Sequence, residues 1–162
     1  MDVKEIKIGI GDLNIATPPD KLITIGLGSC IGIALIDSVN KVVGMSHIML
    51  PDSTGFTNQT NLMKFANLAI PVLVDKMIAK GAKLKNMKSK IAGGACMFNF
   101  PDKPTTLDIG KRNTIAVKDI LNGFNIPILS EDTGGSSGRT MIIDSETCKV
   151  FIKTVGKEIK EL

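Results

Sequence analysis

The sequence predicts an α+β domain, mixed α/β in layout, with two helices on one side of a sheet. Two observations carry this reading. Roughly eight short apolar or alternating segments, separated by turn residues, read as strands. Only two stretches hold helical periodicity over several turns. At 162 residues the chain suits a single domain with a sizeable core, expected over 1–162 with its core at about 5–155.

The elements follow in order. Residues 4–10 alternate as a strand does, and 22–26 and 30–36 are short apolar runs on either side of a glycine turn. The run 37–40 (Asp-Ser-Val-Asn) is a turn, and 41–49 returns as the second arm of a hairpin. A helix is expected over about 61–80, kinked or split at Pro71 and stopped at Gly81. Residues 90–95 read as a strand entering a glycine bend, and 101–106 as a loop. A second helix is expected over about 110–123, burying Ala116, Val117, Ile120, Leu121 and Phe124. A strand at 126–131, a glycine-rich loop at 132–138 and a closing hairpin of 139–143 with 149–155 complete the core. The last residues, 157–162, read as a frayed tail.

Composition narrows the function. Hydrophobic residues make up 43% and charged residues 22%, the balance of a globular chain. Six Phe with no Trp or Tyr leave no aromatic platform for stacking bases, so nucleic acid is not an expected partner. The net charge of +4, densest at Lys80, Lys83, Lys85, Lys88 and Lys90, reads as a solvated surface between a helix and a strand. No apolar run approaches the ~18 residues of a spanning helix, and no signal pattern opens the chain. Three cysteines at wide spacing, 30, 96 and 148, form neither a disulfide framework nor a zinc pattern. The expectation is a cytoplasmic protein with reduced thiols, not inserted in a membrane and without a structural zinc site.

One pair of residues points to catalysis. Cys30 closes the turn Gly26-Leu27-Gly28-Ser29-Cys30, and seventeen residues later comes His47, the only histidine. An imidazole beside a thiol is the usual means of activating it as a nucleophile. Gly26 and Gly28 allow a sharp turn through positive φ, and a nucleophile at such a bend can aim its own N–H at a developing oxyanion. Counted from the hairpin turn, Cys30 and His47 lie at nearly matching distances on antiparallel strands, so they are expected side by side. Cys96 has no second histidine to activate it, and Cys148 falls in a hairpin turn; both read as structural or incidental. Three other patterns are weaker. Gly26-x-Gly28 lacks the third glycine and following helix of a dinucleotide site, since position 31 is Ile. The loop 134–138 with Arg139 could cradle an anion, though a hairpin loop is the plainer reading. Glu131 and Asp132 are adjacent on a strand, so they face opposite ways and do not make an acid pair.

Five segments together resemble the CheD family of chemoreceptor glutamine deamidases. They are 24–30 (Thr-Ile-Gly-Leu-Gly-Ser-Cys), 44–51 (Gly-Met-Ser-His-Ile-Met-Leu-Pro), 90–95 (Lys-Ile-Ala-Gly-Gly-Ala) with Met97 and Phe98, 109–113 (Ile-Gly-Lys-Arg-Asn), and 131–135 (Glu-Asp-Thr-Gly-Gly) with Gly138 and Arg139. The family order is kept; a modest departure is Asp37-Ser38 where Asp-Pro is expected. The resemblance implies a Cys30, His47, Thr24 triad, with Gly26, Gly28 and Ser29 as the supporting turn and candidate oxyanion or substrate contacts. It implies hydrolysis of selected glutamine amides on methyl-accepting chemotaxis receptors, with CheC phosphatase as a partner in many members. It also implies a layered β core flanked by helices, like that of bacterial toxin deamidases, and no organic or metal cofactor. The competing readings are a non-catalytic binding module for receptors or CheC, and another small thiol hydrolase.

Overall fold

A computed structural model of the protein describes residues 2–57, 60–97 and 108–162. The expected loop at 101–106 and the motif residue Phe98 lie outside the described residues. Ten strands and two α-helices are seen among the rest, an α+β arrangement. The strands are β1 (Glu5–Lys7), β2 (Leu13–Ala16), β3 (Lys21–Leu27), β4 (Ile31–Asp37), β5 (Val42–Ile48), β6 (Lys88–Gly93), β7 (Ile128–Thr133), β8 (Arg139–Asp144), β9 (Val150–Thr154) and β10 (Lys160–Glu161). The helices are α1 (Ala66–Ala79) and α2 (Ile109–Gly123).

The strands form two five-stranded mixed sheets, β1-β3-β8-β9-β10 and β2-β5-β4-β6-β7. Strands β4 and β5 are buried along their whole length because the second sheet is covered on both faces. Alternation divides their side chains between two cores. Ile31, Ile33 and Leu35 join Ala69, Ile70, Leu73, Val117 and Leu121 under the helices. Ala34, Ile36, Val43 and Met45 join Leu22, Leu27, Met141 and Ile143 between the sheets. The result is three layers: sheet, sheet, helices. Both helices share one face, with α1 on β2 and β5 and α2 on β4 and β7.

Three expectations are corrected. The first helix is not split at Pro71, which lies inside α1. Proline removes one helical hydrogen bond, at a cost of about 3 kcal/mol, but Ala69, Ile70, Leu73 and Val74 around it are all buried. The break falls earlier, at the extended Phe65, whose backbone bridges to Leu50 and separates a short 3₁₀ turn (Leu62–Lys64) from α1. Gly81 does end α1: at φ +110° it lets the N–H groups of Gly81 and Ala82 cap the carbonyls of Ile78 and Met77. Second, 157–162 is not a frayed tail. Lys160 and Glu161 pair with β9, the Leu162 N–H donates to the Val150 carbonyl at 2.8 Å, and Lys160 reaches Asp132 at 2.9 Å. Third, the buried face of α2 is led by Gly110, Asn113, Val117 and Leu121; Ile120 and Phe124 are only partly buried, and Ala116 is half-buried.

The turn at 37–40 is held by a buried carboxylate. Asp37 accepts hydrogen bonds from the N–H groups of Val39, Asn40 and Lys83 and from the Asn40 amide. Burial alone would raise its pKa, but these donors together hold it below the usual carboxylate value.

Candidate active site

The site lies where β3, β4 and β5 converge at the edge of the layer between the sheets. The hairpin register pairs Gly32 with His47 and Ile31 with Ile48. Cys30 therefore stands two residues before the partner of His47, on the same face, and the two are diagonal rather than direct neighbours. Such diagonal positions are about 7–8 Å apart at the backbone, within reach of an imidazole. The direct neighbour is Gly32, where a Cβ would press on Met141 and Leu27 of the first sheet. Cys30 packs into the core between the sheets and is 8% exposed.

The glycines of the turn have different tasks. Gly26 has φ +81° and sits in the irregular stretch where the β3–β8 ladder slips between Thr24 and Leu27. Gly28 does not take positive φ, which corrects that expectation; it is small because Met97 approaches, 3.2 Å from where a Cβ would be. The carbonyls of Gly28 and Cys30 accept the N–H groups of Ala95 and Gly94, both at 2.9 Å. This close approach explains Gly93, which has φ +113° and where a side chain would collide with the Cys30 carbonyl; at Gly94 a side chain would instead meet Thr114 and the Gly110 carbonyl of α2. Ser29 is half-buried, and its carbonyl accepts a hydrogen bond from the Asn113 side chain at 3.0 Å.

Thr24 and His47 are in contact. The threonine Oγ1 lies 2.6 Å from His47 Nδ1 and 2.6 Å from the Ile8 carbonyl oxygen. The carbonyl can only accept, so the single hydroxyl hydrogen goes to Ile8, and Nδ1–H of the imidazole donates to Thr24. The tautomer is thereby set, and Nε2 carries the lone pair. Nε2 is buried and has no protein partner. His47 and Thr24 are 0% and 1% exposed, and burial lowers the imidazole pKa to about 4. Burial raises the pKa of the Cys30 thiol, an effect partly opposed by the Cys30 backbone N–H. The resting state is a thiol and a neutral imidazole on one face of the hairpin, with no hydrogen bond between the Cys30 sulfur and His47 Nε2. Such a pair can move a proton from sulfur to Nε2 as a bond to carbon forms.

The remaining candidates are engaged elsewhere. Arg139 donates to the carbonyls of Gly93 and Gly134 at 3.1 and 2.8 Å and pairs with Asp132 at 3.2 Å. Its guanidinium braces the loop rather than an anion. Glu131 pairs with Lys118 at 2.8 Å, turned away from Asp132, as strand alternation requires. Cys96 is exposed and lines a hollow of about 360 Å³ with Gly94, Lys111 and Thr133. Cys148 is half-buried, with its thiol pKa raised by burial.

Comparison with known proteins gives the family of the chain. The model of a family described as CheD chemotactic sensory transduction matches residues 49–154. The chain is also 60% identical, over all 162 residues of both, to a Clostridium botulinum (strain Hall) protein named "Probable chemoreceptor glutamine deamidase CheD". The chain belongs to the CheD family. A protein of the same name from Clostridium novyi (strain NT) is 59% identical, again over the whole of both chains. The family match begins two residues after His47, so Thr24, Cys30 and His47 fall in the part covered by the full-length CheD relatives. Among the described residues no helix is long and apolar enough to cross a membrane.

Sequence reasoning assigned no role to Asn113, although it fell in one of the family segments. It lies on the buried stripe of α2 at the spacing Gly110, Asn113, Val117, Leu121. A polar residue where the helical period calls for an apolar one is the signal that could have found it.

Proposed function

We propose that this protein deamidates selected glutamine side chains of chemoreceptors, with Cys30 as nucleophile, His47 as acid and base, and Thr24 as the orienter of His47. The substrate class is supported by the names of the full-length relatives. The mechanism is supported chiefly by one observation: His47 is held through Nδ1 by Thr24 while Nε2 is left buried with a free lone pair.

In this reading the Cys30 sulfur attacks the carboxamide carbon, and its proton moves to His47 Nε2. The carbonyl oxygen becomes an oxyanion facing the Cys30 N–H. The intermediate collapses as the C–N bond breaks, and the Nε2 proton leaves with ammonia. A thioester remains. Water attacks it, giving a proton to Nε2; the C–S bond breaks, the proton returns to sulfur, and glutamate is released. Burial keeps His47 neutral at rest, so the Nε2 lone pair is free; the lowered pKa weakens it as a base toward the thiol but favours release of the proton to the leaving ammonia.

The reaction would place the protein in the cytoplasm, beside the signalling helices of its receptors, with a CheC-type phosphatase as an expected partner. The test is mass spectrometry of a receptor cytoplasmic fragment incubated with the protein. Each deamidation adds about 1 Da to a tryptic peptide, the difference between an amide and an acid. Wild type should produce that shift and Cys30→Ala should not; activity retained in Cys30→Ala would remove Cys30 from the reaction.

A further inference from the structure

Asn113 is fully buried in α2, on the opposite side of the second sheet from Cys30 and His47. Its Nδ2 donates two hydrogen bonds, one to the Ser29 carbonyl and one to the Met49 carbonyl, both at 3.0 Å. Ser29 immediately precedes the nucleophile, and Met49 is two residues past the base. The hairpin ladder stops at Ile31 and Ile48, so this one amide joins the two strand ends beyond the last pair. Both partners only accept, which fixes the amide with its NH₂ toward them. Its own Oδ1 is left buried without a partner. An apolar residue would fill this position in the helical stripe without that orphan, so the amide is kept for the two bonds it makes.

The Ser29 bond has a geometric consequence. The only cis peptide among the described residues is Pro18-Pro19, so the Ser29–Cys30 peptide is trans. In a trans peptide the C=O and the following N–H point in opposite directions. Drawing the Ser29 carbonyl toward α2 turns the Cys30 N–H to the other side, into the layer that holds the thiol. We propose that Asn113 is a positioning residue which, by anchoring the Ser29 carbonyl, aims the Cys30 N–H at the oxyanion formed during attack. It touches neither substrate nor the reacting atoms. The proposal rests on the deamidase reading and names a residue that sets its rate.

Two reactions of the same thiol separate this role from a merely structural one. Deamidation passes through an oxyanion; alkylation of Cys30 by iodoacetamide is a displacement at saturated carbon and forms none. Asn113→Leu should lower kcat for a receptor fragment by about tenfold to a hundredfold, below the loss seen when an oxyanion donor is removed outright. KM should stay within about twofold, and the alkylation rate at the Cys30 peptide, followed by mass spectrometry, within about threefold. Parallel loss of both reactions would mean that Asn113 only holds the dyad or the fold, and would overturn the proposal. So would full deamidase activity in the variant. If Asn113→Leu does not fold, Asn113→Ser, which removes the amide without adding apolar bulk, is read by the same criteria; failure of both to fold makes Asn113 structural and ends the proposal. Wild type run in parallel keeps the two ideas apart: an inactive wild type overturns the deamidase reading, and this inference with it, whereas an active wild type with an unaffected variant overturns the inference alone.

Discussion

Thr24 accepts a hydrogen bond from Nδ1–H of His47 at 2.6 Å and donates its own hydroxyl hydrogen bond to the Ile8 carbonyl. A hydroxyl with one hydrogen and a carbonyl with none leave no other distribution, so two backbone strands and one side chain determine which nitrogen of the imidazole can act as a base. A carboxylate in the place of Thr24 would also stabilise the imidazolium; a hydroxyl orients without adding charge.

Replacing Thr24 with valine keeps its shape and removes the acceptor. Thr24→Val should lower kcat by about tenfold to a hundredfold, by analogy with the loss when a metal-bound histidine is deprived of its outer hydrogen-bond partner, with KM little changed. Thr24→Ser should retain most of the activity. An ammonia-release assay measures both. Full activity in Thr24→Val would reduce the machinery to the Cys30–His47 pair.

The histidine titrates alone, since the chain has no other. Burial lowers its pKa from 6.5 to about 4. The unfolded chain therefore takes up a proton near 6.5 while the native state resists until about 4. Stability from this group is fully present above pH 6.5 and is lost as the pH falls toward 4, by up to ~3 kcal/mol. Urea midpoints measured at pH 7 and 5 should drop more for wild type than for His47→Gln. A midpoint of the His47 NMR titration at 6.5 or above would contradict the burial described for it.

Gly93 and Gly123 make a matched pair. Gly93 has φ +113°, and a methyl there would meet the Cys30 carbonyl; Gly123, at the end of α2, has open space. Gly93→Ala should cost about 2 kcal/mol or more and impair activity, because the backbone carrying the nucleophile must shift. Gly123→Ala should be neutral or stabilise by up to about 1 kcal/mol. Urea denaturation of the two variants decides it; equal midpoints would mean that the Cys30 turn yields at little cost.

The parts of the structure that were legible in the sequence are those with local causes. The β4–β5 hairpin, the C-terminal ends of both helices and the shared strand face of Cys30 and His47 follow from turn residues and alternation. What escaped depends on contacts distant in sequence. The C-terminal strand looked like a polar tail because Lys160 and Glu161 carry no apolar signal; its order comes from the edge of β9 and from Asp132. The helix break at Phe65 comes from a bridge to Leu50, whereas Pro71, the residue with the strong local signal, is tolerated by burial around it. Thr24 was reached through a family resemblance alone, since nothing in its neighbours announces a bond 23 residues away. Asn113 bridges residues 84 and 64 positions distant.

The central claim is that a Cys30 thioester lies between glutamine and glutamate. Hydroxylamine tests it, because it intercepts a thioester faster than water does and converts the acyl group to a hydroxamate. A receptor fragment incubated with wild type and hydroxylamine should give target peptides about 16 Da above the original amide, in competition with the ~1 Da shift of deamidation, and Cys30→Ala should give neither product. Deamidation by wild type with no hydroxamate at any hydroxylamine concentration, together with activity in Cys30→Ala, would contradict the account.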